Sequence, residues 1–96
     1  MKNAVIVVAT IVAHPGHRDS VTAALKKAVA LVRQEPGCER YDLHRDNADP
    51  DRLVMLERWT SAEDLARHDQ GAALKELAGE LAGRADLSIS KLEQLV

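Results

Sequence analysis

The chain predicts an α+β domain of the ferredoxin-like kind, ordered βαββαβ, with both helices on one face of a four-stranded antiparallel sheet. Three observations carry this reading. Hydrophobic periodicity alternates between the strand period of two and the helix period of about 3.6 in that order. Turn residues punctuate the changes, at His14-Pro15-Gly16 and Glu35-Pro36-Gly37. The length, 96 residues, makes one domain over 1–96, and short connections with right-handed crossovers resolve the order into this topology.

The first strand is Val5 to Val12, β-branched and apolar at consecutive positions, so both of its faces are expected to be covered. Lys2 before the run Ala4 to Ala13 has the outline of a signal peptide. A single basic residue, the lack of a small-residue cleavage site and the dominance of Val and Ile favour a buried strand instead. From Val21 the spacing of Val21, Ala24, Leu25, Ala28 and Val32 marks a helix face, with Asp19 and Ser20 near its start. Cys38 to Arg45 alternates, Tyr41 and Leu43 lying opposite Arg40, Asp42 and His44. After the polar hairpin loop Asp46 to Asp51, Leu53 to Trp59 resumes as the antiparallel neighbour. Thr60-Ser61-Ala62-Glu63, with Asp64, is a capping-box-like helix start. Leu65 and His68 lie on the first helical piece and Gly71 interrupts it. Leu74, Leu77, Ala78 and Leu81 then form an amphipathic face that stops at Gly83. Leu87 to Leu95 closes the chain as the fourth strand, Leu87 and Ile89 opposite Ser88 and Ser90.

Composition narrows the function. With 13 Lys plus Arg against 15 Asp plus Glu, the net charge is −2 and the signs are interspersed, which supplies neither the basic face of a nucleic-acid binder nor an attraction to anionic membranes. The apolar run at the start is also far shorter than the ~20 residues that span a bilayer. No nucleic-acid or membrane partner is expected. One cysteine, Cys38, excludes an intrachain disulfide and any multi-Cys metal site and fits a reducing, cytoplasmic compartment. Cys38 itself reads as a small buried residue. Phe is absent, so the core must be Leu, Val, Ile and Ala around Trp59 and Tyr41. Two helices cover one sheet face, yet the first and third strands carry Val, Ile, Leu and Met on both sides. A homodimer joined sheet to sheet is therefore expected.

Few residues could carry chemistry. There is no glycine-rich phosphate loop, no metal-ligand cluster and no nucleophile signature. His14 and His17 read as solvated turn residues without a third ligand, and Asp49 and Asp51 as a hydrophilic loop. His44 shares a strand face with Arg40 and Asp42, and Glu57 is expected opposite them, as a polar network at the dimer interface. His68, close to the break at Gly71, and Trp59, at a strand end, would bring a proton-active group and a π-surface to one pocket. Spacing alone favours a helix-surface histidine and a core-anchor tryptophan.

The run Glu35-Pro36-Gly37-Cys38-Glu39-Arg40-Tyr41-Asp42-Leu43-His44-Arg45-Asp46, then Asp49-Pro50, Glu57-Arg58-Trp59 and His68, resembles the antibiotic biosynthesis monooxygenase domain family, including its small quinol-oxidising bacterial members. The resemblance covers essentially the whole chain. It implies a dimeric α+β barrel of two ferredoxin-like subunits and the oxidation of phenolic or quinol-like substrates by molecular oxygen with no flavin, metal or other cofactor. By the same resemblance, Trp59 would help hold the substrate ring and His68 would accept the phenolic proton. Arg40 or Arg58 would stabilise negative charge if its side chain reached the cavity. The chain departs from the family pattern at Ala73, where a second helix histidine is common, and at Leu77, where an aromatic is usual. Haem-degrading relatives use an Asn in the first strand, a Trp where His68 stands and a histidine where Ala78 stands, so haem degradation is disfavoured.

The leading expectation is a cofactor-independent monooxygenase or quinol oxidase acting on a small aromatic or polyketide-like phenol. Two others stand beside it: a small-molecule isomerase of the same superfamily, with His68 moving the proton, and a non-catalytic ligand-binding module.

Overall fold

A computed structural model describes residues 3–96; Lys2, weighed above in the signal-peptide reading, lies outside them. The elements follow as β1 (Val5–Ala13), α1 (Arg18–Val32), β2 (Cys38–Arg45), β3 (Arg52–Trp59), α2 (Ala62–Asp69), α3 (Ala72–Leu81) and β4 (Ala85–Leu92). The strands form one antiparallel sheet in the order β2-β3-β1-β4, the ferredoxin-like arrangement expected from the sequence. The break at Gly71 separates α2 from α3, and Gly71 itself caps α3.

Strand parity decides which residues reach the helices. On β1, Val7, Ala9, Ile11 and Ala13 are buried under the helices, while Ile6, Val8, Thr10 and Val12 turn to the other face and are half-buried. On β3, Leu53, Met55, Glu57 and Trp59 are buried and Val54, Leu56 and Arg58 alternate with them. The helices complete the core with Val21, Leu25, Ala28 and Val32 of α1, Leu65 of α2, and Leu77 and Leu81 of α3.

The structure moves several boundaries. The α1 helix starts at Arg18, ahead of its first buried residue, with Val21 N–H donating to the carbonyl of His17 at 2.9 Å. The β4 strand runs from Ala85 to Leu92 rather than to Leu95, because Leu92 already pairs with Ile6, next to the start of β1, and Leu95 stands 84% exposed. His14 is no free turn residue. Its Nε2 lies 3.0 Å from Asp86 Oδ1 and its Nδ1 3.2 Å from the Gly83 carbonyl, so it clamps the start of β4 to the end of β1. Cys38 is half-buried, and burial together with the Glu35 and Glu57 carboxylates pushes its thiol pKa up.

Candidate active site

Between the sheet and the helices lies a cavity of about 180 Å³. Its floor is Val7, Ala9 and Ile11 of β1 with Met55 of β3, and its roof is Leu65 of α2 with Leu74 and Leu77 of α3. Leu87 and Ile89 of β4 form the side that faces solvent; both are about half exposed, at 53% and 51%. Into these apolar walls project three polar groups from three elements: Tyr41 of β2, Glu57 of β3 and His68 of α2. Asp69 and Lys91 also line the cavity, ion-paired to each other at 3.1 Å and partly exposed.

His68 is held from three sides. Ser61 caps α2, its Oγ accepting from Asp64 N–H at 3.2 Å and donating to Asp64 Oδ2 at 3.0 Å, and this fixes the helix that carries His68. The Trp59 ring stacks on the imidazole, centroids 4.5 Å apart and 28° between planes, and Tyr41 meets it edge-on at 5.8 Å. Glu35, in the turn after α1, places Oε1 2.9 Å from His68 Nδ1. That turn is held in place by Gly37, whose φ of +79° suits glycine and whose carbonyl accepts from Thr60 N–H at 2.9 Å. A Cβ at position 37 would run into the Asp64 side chain.

A carboxylate can only accept, so the Glu35 contact puts a proton on Nδ1 and leaves Nε2 of the neutral ring as a lone pair. Among the described residues, His68 Nε2, Glu57 Oε2 and Tyr41 Oη take no hydrogen bond, and no buried side-chain N or O lacks a partner. All three residues line the cavity, and these atoms are the ones left free to meet a bound molecule. Burial pushes the Glu57 carboxyl pKa up, against the Trp59 N–H and His68, which pull it down; Asp69 and Glu35 add to the rise. Burial, with Glu57 and Glu35 nearby, also raises the Tyr41 phenol far above its usual value.

Three sequence expectations change here. Trp59 is fully buried and is absent from the cavity wall; it lies behind His68, donating from Nε1 to Glu57 Oε1 at 3.0 Å, and so offers no open face to a ring. Glu57 does not oppose His44 and Arg40 on the outer face. Its parity is that of Trp59, which turns it inward beside Tyr41, its cross-strand partner. Arg40 and Arg58 pair with each other in register on the opposite sheet face, bound to Asp42 at 2.7 Å and Glu39 at 2.8 Å, and neither reaches the cavity. Ala73 is also outside it, packed towards Ala24 and Ala28 of α1, whereas Leu77 and Ala78 are in its wall. Among the described residues no group of three His, Cys, Asp or Glu side chains converges as a metal ion would require.

Residues 4–79 match the antibiotic biosynthesis monooxygenase family, and the chain belongs to that family. PA3566 from Pseudomonas aeruginosa is similar at 31% identity, with a TM-score of 0.94 over 100% of this chain and 98% of that one. A crystal structure described as an antibiotic biosynthesis monooxygenase is 26% identical, with a TM-score of 0.89 over 96% of this chain and 99% of the other. Rv0793 from Mycobacterium tuberculosis shares the fold at 24% identity, with a TM-score of 0.91 over 97% and 96% of the two chains. No curated protein matches by sequence.

Proposed function

We propose that the protein is a cofactor-independent monooxygenase, oxidising a small electron-rich phenol or quinol with molecular oxygen. The observation that carries this reading is the oriented imidazole of His68, its Nδ1 on Glu35 and its Nε2 open into an apolar cavity. An apolar cavity of about 150 Å³ takes a benzene ring, so about 180 Å³ suits one substituted ring. His68 Nε2 takes the phenolic proton, and the phenolate passes one electron to oxygen. The phenoxyl and superoxide radicals join at a ring carbon that bears hydrogen. Protonation gives the hydroperoxide, which loses that hydrogen and its terminal oxygen as water to leave a quinone carbonyl. The sum is substrate plus oxygen giving quinone plus water. Apolar walls serve the step by keeping water from the radical pair. Trp59 acts as a positioning residue, fixing the imidazole plane. The working unit is a cytoplasmic homodimer joined by its outer sheet faces.

Oxygen uptake with a panel of hydroquinones and naphthoquinols tests the reading. His68→Ala is expected to lower kcat about 10²- to 10⁴-fold, the usual contribution of a positioned general base. Retained turnover in that variant sinks the proposed proton role. Product formed under strict anoxia selects the isomerase reading, since a proton-accepting His68 serves proton transfer equally well without oxygen. Thermal stabilisation by these ligands with no turnover selects the binding module.

A further inference from the structure

We infer that Glu57 is a second catalytic residue, a proton donor that faces the substrate from the sheet while His68 accepts a proton from the helix side. Proton transfer at two places on one ring is served best by two groups, one to take the hydroxyl proton and one to supply a proton at the ring carbon or its peroxide, where a single base would have to carry the proton between them. Three cavity-facing polar atoms are available. The Tyr41 phenol is pushed by burial far above its usual pKa and holds its proton tightly. Asp69 and Lys91 neutralise each other at the rim. Glu57 remains, and its geometry suits the task. Its Oε1 is fixed by Trp59 Nε1–H at 3.0 Å, which leaves Oε2 as the atom that carries a proton into the cavity.

The neighbours of Glu57 explain why it holds that proton. Val7 of β1 pairs with it on one side and Tyr41 of β2 on the other; the one cation in that row of the sheet is Lys91 of β4, beyond Val7 and bound to Asp69 at 3.1 Å. From the helix side come His68 and Asp69 of α2, and from the turn after α1 comes Glu35, which is itself bound to His68. The two carboxylates oppose a charge on Glu57, and burial opposes it more. One tryptophan thus couples both catalytic side chains. Trp59 sets the oxygen of Glu57 with its nitrogen and the plane of His68 with its rings.

The inference deepens the acid–base reading of this cavity but needs no oxygen, and its test is therefore run without it. Phloroglucinol, a single ring with electron-rich C–H positions, is held with the protein in deuterated buffer under nitrogen, and exchange of the ring hydrogens is followed by NMR. The base removes an O–H proton and the acid delivers a deuteron to carbon; the reverse steps release the ring hydrogen, and no electrons are exchanged. Wild-type protein should accelerate exchange at least tenfold over buffer, and His68→Ala and Glu57→Gln should each lose that acceleration. Glutamine keeps an oxygen to accept from Trp59, so unchanged thermal unfolding and tryptophan emission in Glu57→Gln separate lost acidity from a damaged fold. In wild type the rate should fall as pH rises through the Glu57 pKa, which burial places above the ordinary carboxylate value, and the residual rate of Glu57→Gln should lack that limb. Wild-type-like exchange in Glu57→Gln overturns the inference, as does a wild type no faster than buffer. Exchange that proceeds as expected in a protein that takes up no oxygen leaves Glu57 its role and rejects only the oxygenase reading.

Discussion

A carboxyl buried in an apolar cavity leaves a signature in stability as well as in chemistry. The folded-state pKa of Glu57 lies above its unfolded value, so the folded chain binds the proton more tightly than the unfolded chain. Its contribution to stability is greatest below the unfolded pKa and declines as pH rises through the folded pKa. Glutamine has no such titration and still accepts from Trp59 Nε1–H. Glu57→Gln should therefore match wild type in Tm near pH 4 and exceed it increasingly toward neutral pH. A difference that stays constant across that range would contradict a buried, proton-holding carboxyl. Glu57 was within reach of the sequence: period-two alternation puts it on the face of Trp59, and a core tryptophan takes its strand partner inward. The family motif singled out His68 and Trp59, but nothing local to either separates a platform from a ring buried behind the imidazole. The Glu35 contact joins residues 33 positions apart through a turn, and no periodicity carries such a signal.

At the scale of elements, strands and helices were legible because each carries an unbroken hydrophobic period, while their ends depend on partners. The α1 start at Arg18 has no apolar residue to mark it, and β4 stops at the partner of Ile6, one residue short of the start of β1. The edge strand β4 is also exposed along nearly all its length, so it depends on pairing with β1 and on the His14 clamp. Both ring nitrogens of His14 face acceptors, the Asp86 carboxylate and the Gly83 carbonyl, which together raise its pKa. For a histidine with a raised folded pKa, the stabilisation is complete below the unfolded value of about 6.5 and is lost as pH rises through the folded value. His14→Ala should lower Tm at pH 6 and approach wild type at pH 9, with the earliest loss of amide-exchange protection in β4. An equal Tm deficit at both pH values would make the imidazole a packing residue and not a charged clamp.

For the whole molecule, the unresolved demand is the outer sheet face. One side of the sheet is closed by three helices, yet Ile6, Val8, Val12, Val54 and Leu56 stand on the other, only half-buried in a single chain. Charged pairs border them on the β2 side, with Arg40 and Arg33 on Asp42 and Arg58 on Glu39. An apolar centre with a paired polar rim is the anatomy of a protein interface. Four strands about 4.8 Å apart and about eight residues long at ~3.3 Å each give a face of roughly 20 by 26 Å, about 500 Å² in projection. A standard interface takes about 800 Å² of accessible surface from each partner, within reach of a side-chain-covered face of that size once Leu92 and the rim are added. Two such faces meeting would leave both cavities on the far side of their own sheets, each complete within one chain. A charge at the centre should then split the dimer and spare the site. Leu56→Asp is expected to halve the mass seen by sedimentation at micromolar concentration, while circular dichroism and anaerobic phloroglucinol exchange stay near wild type. A wild-type chain that sediments as a monomer would remove the dimer. A variant that dissociates and loses exchange together would show that the cavity needs its partner after all.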